Sequence, residues 1–138
     1  MNVLWIEERD ALALHDRLLA LDGGATGLRD AGLLASALAR PRQLHAYGKN
    51  PDAIDLAAGY TVGILRNHPF VDDNKRTGFV IGVLFLEKNG YRFVASEESA
   101  TQTILGLASG TLEESAFVAW PRGNTTVLGG RTRKGKQG

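Results

Sequence analysis

The sequence predicts an all-α domain, a compact bundle of about six helices packed around one central buried helix. Three observations carry this. Apolar residues recur at helical spacing in several separate stretches. Residues that start and stop helices (Asp, Asn, Ser, Pro and Gly) stand at the borders of those stretches. One stretch, residues 79–86, is apolar on nearly every side, as a helix surrounded by others must be.

Val3 to Ile6 reads as a short extended entry. Glu7 to Leu21 reads as the first helix, with Ala11, Leu14, Leu18 and Leu21 on one stripe. Glu7, Glu8 and Asp10 favour its N-terminal end, and Gly23-Gly24 stops it. His15 lies near the stripe; with no second ligand at metal spacing, it reads as a packed or solvated histidine rather than a ligand. Asp30 caps a second helix whose Leu33, Leu34, Ala37 and Leu38 share a face, and Pro41 is expected to end it. Arg42 to Asn50 then reads as a connector.

Asn50-Pro51 predicts the next start, an N-cap followed by proline at the first helical position, for a helix running to about Asn67. Asn74 to Asn89 is the central helix, closed by Gly90. Val80, Ile81, Val83 and Phe85 would also suit a strand; length, the Asn74 cap and the terminal glycine favour helix. Gly59 and Gly63 in one helix, and Gly78 and Gly82 in the next, are each spaced by four. Each glycine costs about 1 kcal/mol against alanine. The pattern predicts two helix backbones in close contact, fixing the loop between them. Tyr91 to Ala95 alternates, as a short extended piece or small hairpin would. Ser96 caps a helix with Ala100, Ile104 and Leu107 inside, ended by Gly110. Thr111 to Glu114 fits a capping box opening a last helix, with Phe117 and Trp120 inward and Pro121 as its stop.

At 138 residues, 43% of them hydrophobic, one domain with an ordinary core is expected. The absence of cysteine excludes a disulfide framework and a thiolate metal site, and fits a reducing cytoplasm. No apolar run approaches the roughly 18 residues of a membrane helix, and residues 1–15 lack a signal-peptide pattern. Net charge is +1, unevenly spread. From Arg122 onward five Lys/Arg meet no acid, which leaves 11 Lys/Arg against 15 Asp/Glu before it. Residues 1–121 are therefore expected to form the helical domain and 122–138 a disordered basic tail. Direct nucleic-acid binding by that tail is the less favoured reading.

The chemistry gathers in His68-Pro69-Phe70-Val71-Asp72-Asp73-Asn74-Lys75-Arg76. Pro69 disfavours helix at His68, so the stretch reads as a helix end, a tight loop and a new helix start. A helix N-terminus suits phosphate, and Lys75 and Arg76 add charges that oppose the macrodipole unless an anion is bound. Asp72 suits one Mg²⁺, which takes few carboxylates and completes its shell with phosphates and water. An imidazole, with an ordinary pKa of about 6.5, can take a proton from a hydroxyl near neutrality, which suits His68 to a base. Together these are parts for phosphoryl-type transfer. Singly, each has a plain reading as turn, solvated loop or cap; as a set before a buried helix they point to a site.

The motif HPFVDDNKRTG resembles the signature loop of the Fic/Doc superfamily, in its Doc (death-on-curing) form, which has NKR where Fic members have GNGR. The resemblance extends over roughly residues 3–120. It includes Gly27-Leu28-Arg29-Asp30, residues 33–41, Arg66-Asn67 and residues 84–91. It implies an all-helical toxin of a toxin–antitoxin pair, acting in the cytoplasm. The implied activity moves the terminal phosphate of ATP, with Mg²⁺, to a hydroxyl of a translation elongation factor. His68 would be the base, Asp72 the metal ligand and Phe70 the loop anchor. Asn74, Lys75, Arg76 and Arg66 would meet phosphates. Two alternatives stand beside it: Fic-type AMP transfer, against which Lys75 argues, and a non-catalytic nucleotide- or antitoxin-binding module. Asp73, where the family has Gly or Ala, favours the last. The self-inhibitory helix motif of some members is not found, so an antitoxin is expected as a separate partner. A β-hairpin flap that grips the target is implied without a position.

Overall fold

A computed structural model describes residues 2–128. The helices are α1 (Glu8–Asp22), α2 (Ala31–Tyr47), α3 (Ala53–Asn67), α4 (Asn74–Lys88), α5 (Glu97–Ser109), α6 (Glu114–Phe117) and α7 (Ala119–Gly123). Only Val118 separates α6 from α7, so the expected bundle of about six helical units is present. None of these helices is long and apolar enough to cross a membrane. Strands β1 (Tyr91–Phe93) and β2 (Thr125–Val127) pair antiparallel, with Arg92 opposite Thr126.

α4 is the central helix. Ile81, Phe85 and Leu86 are fully buried, against α3 on one side and against α1, α5 and β1 on the others. The main core joins Ile6, Ala11, Leu34, Leu56, Tyr60, Ile64, Phe70 and Phe85. A second cluster, with Val62, Ile104, Leu107 and Phe117, lies between α3, α5 and α6. The N-terminal entry is pinned to the far end of α4. The Asn89 side chain accepts from the Leu4 amide at 2.9 Å and donates to the Leu4 carbonyl at 3.0 Å.

Several borders differ from expectation. Pro41 does not end α2; it lies inside the helix, buried against Gly59 of α3, and that contact offsets its missing hydrogen bond. The connector expected from Arg42 is thus helical to Tyr47. Asn50 takes a left-handed φ of 57° and cannot cap; Asp52 caps α3 instead, in a reciprocal box with Asp55. In α1, Leu21 is exposed and His15 is buried in its place, as a packed histidine. Thr111 bonds back to the Gly106 carbonyl rather than capping α6, and Pro121 sits within α7. The piece after α4 is extended but forms no local hairpin, because its partner strand comes from 125–127.

That pairing also moves the expected tail boundary. Arg122 lies in α7, doubly bonded to Asp52, and residues 125–127 are in the sheet. The remainder of the expected tail, 129–138, lies outside the described residues.

The glycine pattern resolves into two contacts. Gly78 and Gly82 face α3: a Cβ on Gly78 would stand 2.6 Å from a Leu65 methyl, and one on Gly82 would stand 2.5 Å from the Thr61 hydroxyl. Gly59 and Gly63 turn the other way, to α2, where a Cβ on Gly63 would stand 3.1 Å from the Ala37 carbonyl oxygen. α3 is therefore gripped closely on both sides, and its C-terminal end is fixed.

Candidate active site

The site lies where α3 ends and α4 begins. His68 closes α3 in a left-handed conformation, φ 50° and ψ 55°, a region that histidine visits more than most residues. Pro69 and Phe70 then turn inward and are buried. Asn74, the first residue of α4, closes the loop like a clasp. Its side chain accepts from the Phe70 amide at 3.0 Å and donates to the Phe70 carbonyl at 2.9 Å. The sequence suggested Asn74 as the N-cap; that position belongs to Asp73. The clasp also occupies the Asn74 side chain, so what it offers a phosphate is its backbone N–H.

The segment between α1 and α2 holds the loop from outside. The Arg29 and Asp30 amides both bond the Pro69 carbonyl, and the Val71 amide bonds the Gly27 carbonyl, forming a bridge between Leu28 and Phe70. The Arg29 guanidinium donates to the carbonyls of His68 at 2.7 Å and Asn67 at 2.9 Å. It thereby caps the negative end of α3. From beneath, His15 stacks on Phe70 with centroids 3.9 Å apart, and its Nε2 lies 2.9 Å from the Asp72 carbonyl oxygen.

On this frame His68 is exposed. Its Nδ1 has only a 3.4 Å contact, to the Asn74 amide, which already serves Phe70. Asp72 is exposed too, and its oxygens accept one backbone N–H each, from Ala25 at 3.1 Å and Asp73 at 2.8 Å. These bonds, the Ala25 amide first, hold its carboxyl below the usual carboxylate range, so it stays ionised near neutrality. Each oxygen keeps lone pairs free toward solvent. Among the described residues no cluster of three metal-ligating side chains exists. Asp72 instead fits the other kind of Mg²⁺ site, one carboxylate completed by substrate phosphates.

Thr77 is the first residue of α4 with an intrahelical acceptor, the Asp73 carbonyl. The amides of Asn74, Lys75 and Arg76 before it are the free donors of a helix N-terminus. Asp73, at φ 65°, makes no side-chain cap, since the left-handed backbone turns its carboxylate away from those amides. Its Oδ2 is buried without a partner, and burial pushes the carboxyl up.

Lys75 and Arg76 are exposed and border a groove of about 450 Å³ between α4 and α5, walled by Phe79, Val80, Ala100, Ile104 and Leu105. Arg76 also pairs with Asp22 at 2.9 Å. Arg66 points elsewhere: Glu114 binds its Nε at 2.6 Å and Arg40 at 2.8 Å. The loop and the start of α4 thus carry His68, Asp72, Asp73, Lys75 and Arg76, with Phe70 and Asn74 as the loop's interior; Asp73, Lys75 and Arg76 border the groove, and Arg66 stands on the α6 side. Sequence reasoning assigned no role to Arg29 or His15. Arg29 stood within a matching motif, but only the fold shows which carbonyls it meets.

Residues 5–86 match the sequence model of the Fic/DOC family. "Protein kinase doc" of Escherichia phage P1 is 34% identical over 111 residues, covering 80% of this chain and 87% of that protein. "Toxin Doc" of Mycolicibacterium smegmatis is 43% identical over 75 residues, covering 53% of this chain and 57% of that protein. The whole loop from His68 to Arg76, with the segment that clamps it, falls inside the family match: this chain belongs to the Fic/DOC family.

Proposed function

We propose that the protein is a Doc-type toxin that transfers the terminal phosphate of ATP to a hydroxyl of a translation protein of the elongation-factor type, arresting translation. The observation that carries this reading is the loop itself. An exposed imidazole, an exposed ionised carboxylate and the open N-terminus of α4 are held by one clasped backbone beside a groove. His68 takes the proton from the acceptor hydroxyl as its oxygen bonds the terminal phosphorus, and ADP departs with the bridging oxygen. The α4 amides, Lys75 and Arg76 balance the charge on the phosphate oxygens. Mg²⁺ at Asp72 would supply further neutralisation of the polyphosphate. Arg66 joins only if Glu114 releases it. An antitoxin is the natural inhibitory partner of such a toxin, and the cytoplasm its place of action.

Asp73 favours a second reading, a non-catalytic nucleotide- or antitoxin-binding module, because this acidic residue is among those lining the groove where phosphates would enter. ATP labelled at the α or the γ phosphate, offered with a translation extract, separates the readings. γ label on a protein supports phosphate transfer, α label supports Fic-type AMP transfer, and neither label supports the module. His68→Ala should cut the transfer by about 10²-fold or more while its thermal melt stays near that of the parent. Undiminished labelling by the folded variant would remove His68 as the base.

A further inference from the structure

We propose that His15 is a positioning residue for the site: it fixes the Asp72–Asp73 peptide plane and thereby aims the Asp72 carboxylate. This rests on the reading of Asp72 as the Mg²⁺ ligand. The Asp72 carbonyl, which meets His15 Nε2 at 2.9 Å, belongs to the same peptide group as the Asp73 amide, which donates to Asp72 Oδ1 at 2.8 Å. A carbonyl oxygen can only accept, so Nε2 carries the proton. Holding one end of a planar peptide holds the other. With the Ala25 amide on Oδ2, the carboxylate is held through both of its oxygens.

The imidazole itself cannot swing away. It is 98% buried and stacked on Phe70, with ring planes 10° apart. Phe70 in turn is 1% exposed and clasped through its backbone by Asn74. His15 therefore ties two loop residues to α1. A leucine would fill the space without donating, and the peptide plane would be free to rotate. Asp73 is held at φ 65° beside that same plane. The left-handed conformation thus has a named restraint.

The test compares His15→Phe, which keeps a stacking ring and loses the donor, with His15→Gln, whose amide can reach the carbonyl. ATP is titrated calorimetrically into each, with and without Mg²⁺, well below the melting temperature. The Phe variant should lose roughly tenfold in the Mg²⁺-dependent gain in affinity, the scale of outer-shell metal partners. Its Mg²⁺-free binding should be unchanged, and the Gln variant should keep the parent's Mg²⁺ response, well short of the roughly tenfold loss. A folded Phe variant with the parent's Mg²⁺ response, or a Gln variant as impaired as Phe, overturns the proposal. If the parent shows no Mg²⁺-ATP binding, the functional reading fails separately. Amide exchange then decides the positioning: faster exchange at Ala25 and Asp73 in the Phe variant supports it, and unchanged exchange defeats it. Should the Phe variant not fold, the same exchange comparison is made with His15→Asn, which is too short to reach the carbonyl.

Discussion

Asp73 shows how much one residue can carry. A left-handed backbone costs an ordinary L-residue roughly 1–2 kcal/mol, and Asp is among those that bear it best. Its carboxylate adds a second cost, because Oδ2 is buried and unpaired. Such a group costs about 1–3 kcal/mol, against about 0.5–1 kcal/mol for the greater chain entropy of glycine. Asp73→Gly is therefore expected to gain about 1–3 kcal/mol of stability, the balance of those terms with the backbone cost reduced for Asp. It should also bind ATP about tenfold more tightly once a negative charge leaves the phosphate entry. Denaturant melts and calorimetry check the two parts separately, and a glycine variant that binds ATP equally or more weakly would defeat the repulsion argument. At this scale much was legible. Pro69 told where α3 must stop, and the residue types from His68 to Arg76 marked the loop that joins it to α4. The direction of each side chain was not. Arg66 and Arg76 are both arginines near the loop, and only the positions of Glu114 and Asp22 decide where each one goes.

Among elements, the packing of α3 separates glycines that are needed from those that are not. Gly82→Ala would push the Thr61 hydroxyl off the Gly78 carbonyl, a buried bond of 2.8 Å, and would press on the Ala57 carbonyl at 3.1 Å. The helix-propensity gain of about 1 kcal/mol should be outweighed, for a net loss of about 2 kcal/mol. Gly106→Ala in α5 meets only ordinary contacts, at 3.4 Å and beyond, and should gain about 0.5–1 kcal/mol. Opposite shifts in thermal midpoint are the check. The start of α3 carries a pH dependence as well. The Arg122 guanidinium, bonding Asp52 through two nitrogens at 2.6 and 3.2 Å, takes the Asp52 carboxyl from 3.8 down to about 2. A depressed carboxyl stabilises fully above its unfolded value and loses that contribution as pH falls through its folded one. The pair is half exposed, so Arg122→Ala should cost at most about 1 kcal/mol at pH 7. That difference should vanish between about pH 4 and pH 2; melts at pH 7, 4 and 2 measure it. Helix identities were readable because α3 and α5 show their apolar stripes plainly, and α5 its Ser96 cap as well. Pro41 misled because local propensity says nothing of Gly59, whose missing side chain makes room for the ring. Asn50 misled because Asn-Pro fits an N-cap pattern as well as the Asp52 box does.

For the whole molecule, the joining of β1 to β2 is what local reading could not supply. Thr125-Thr126-Val127 is too short, and too close to glycine, to announce a strand; it becomes one because Tyr91 to Phe93 offers an open edge after α4. Phe93 packs edge-on to Phe79 and Trp120, so the small sheet covers the second side of the central helix. A chain cut after Gly123 should therefore melt several degrees below one cut after Leu128, since a loss of 1 kcal/mol is about 4–8 °C in a domain near this size. Equal melting would mean the sheet adds nothing. The sheet also has a bearing on chain geography. Leu128 donates to the Gly90 carbonyl, and Leu4 is bracketed by the Asn89 side chain one residue earlier. Both ends of the described chain thus meet at the tail of α4, whose 15 residues span about 22 Å from the loop at its head. Leu4 and Leu128 stand together at the pole of α4 opposite the loop from His68 to Arg76, so a tag or tether joined at either point starts from the end of the helix remote from that loop.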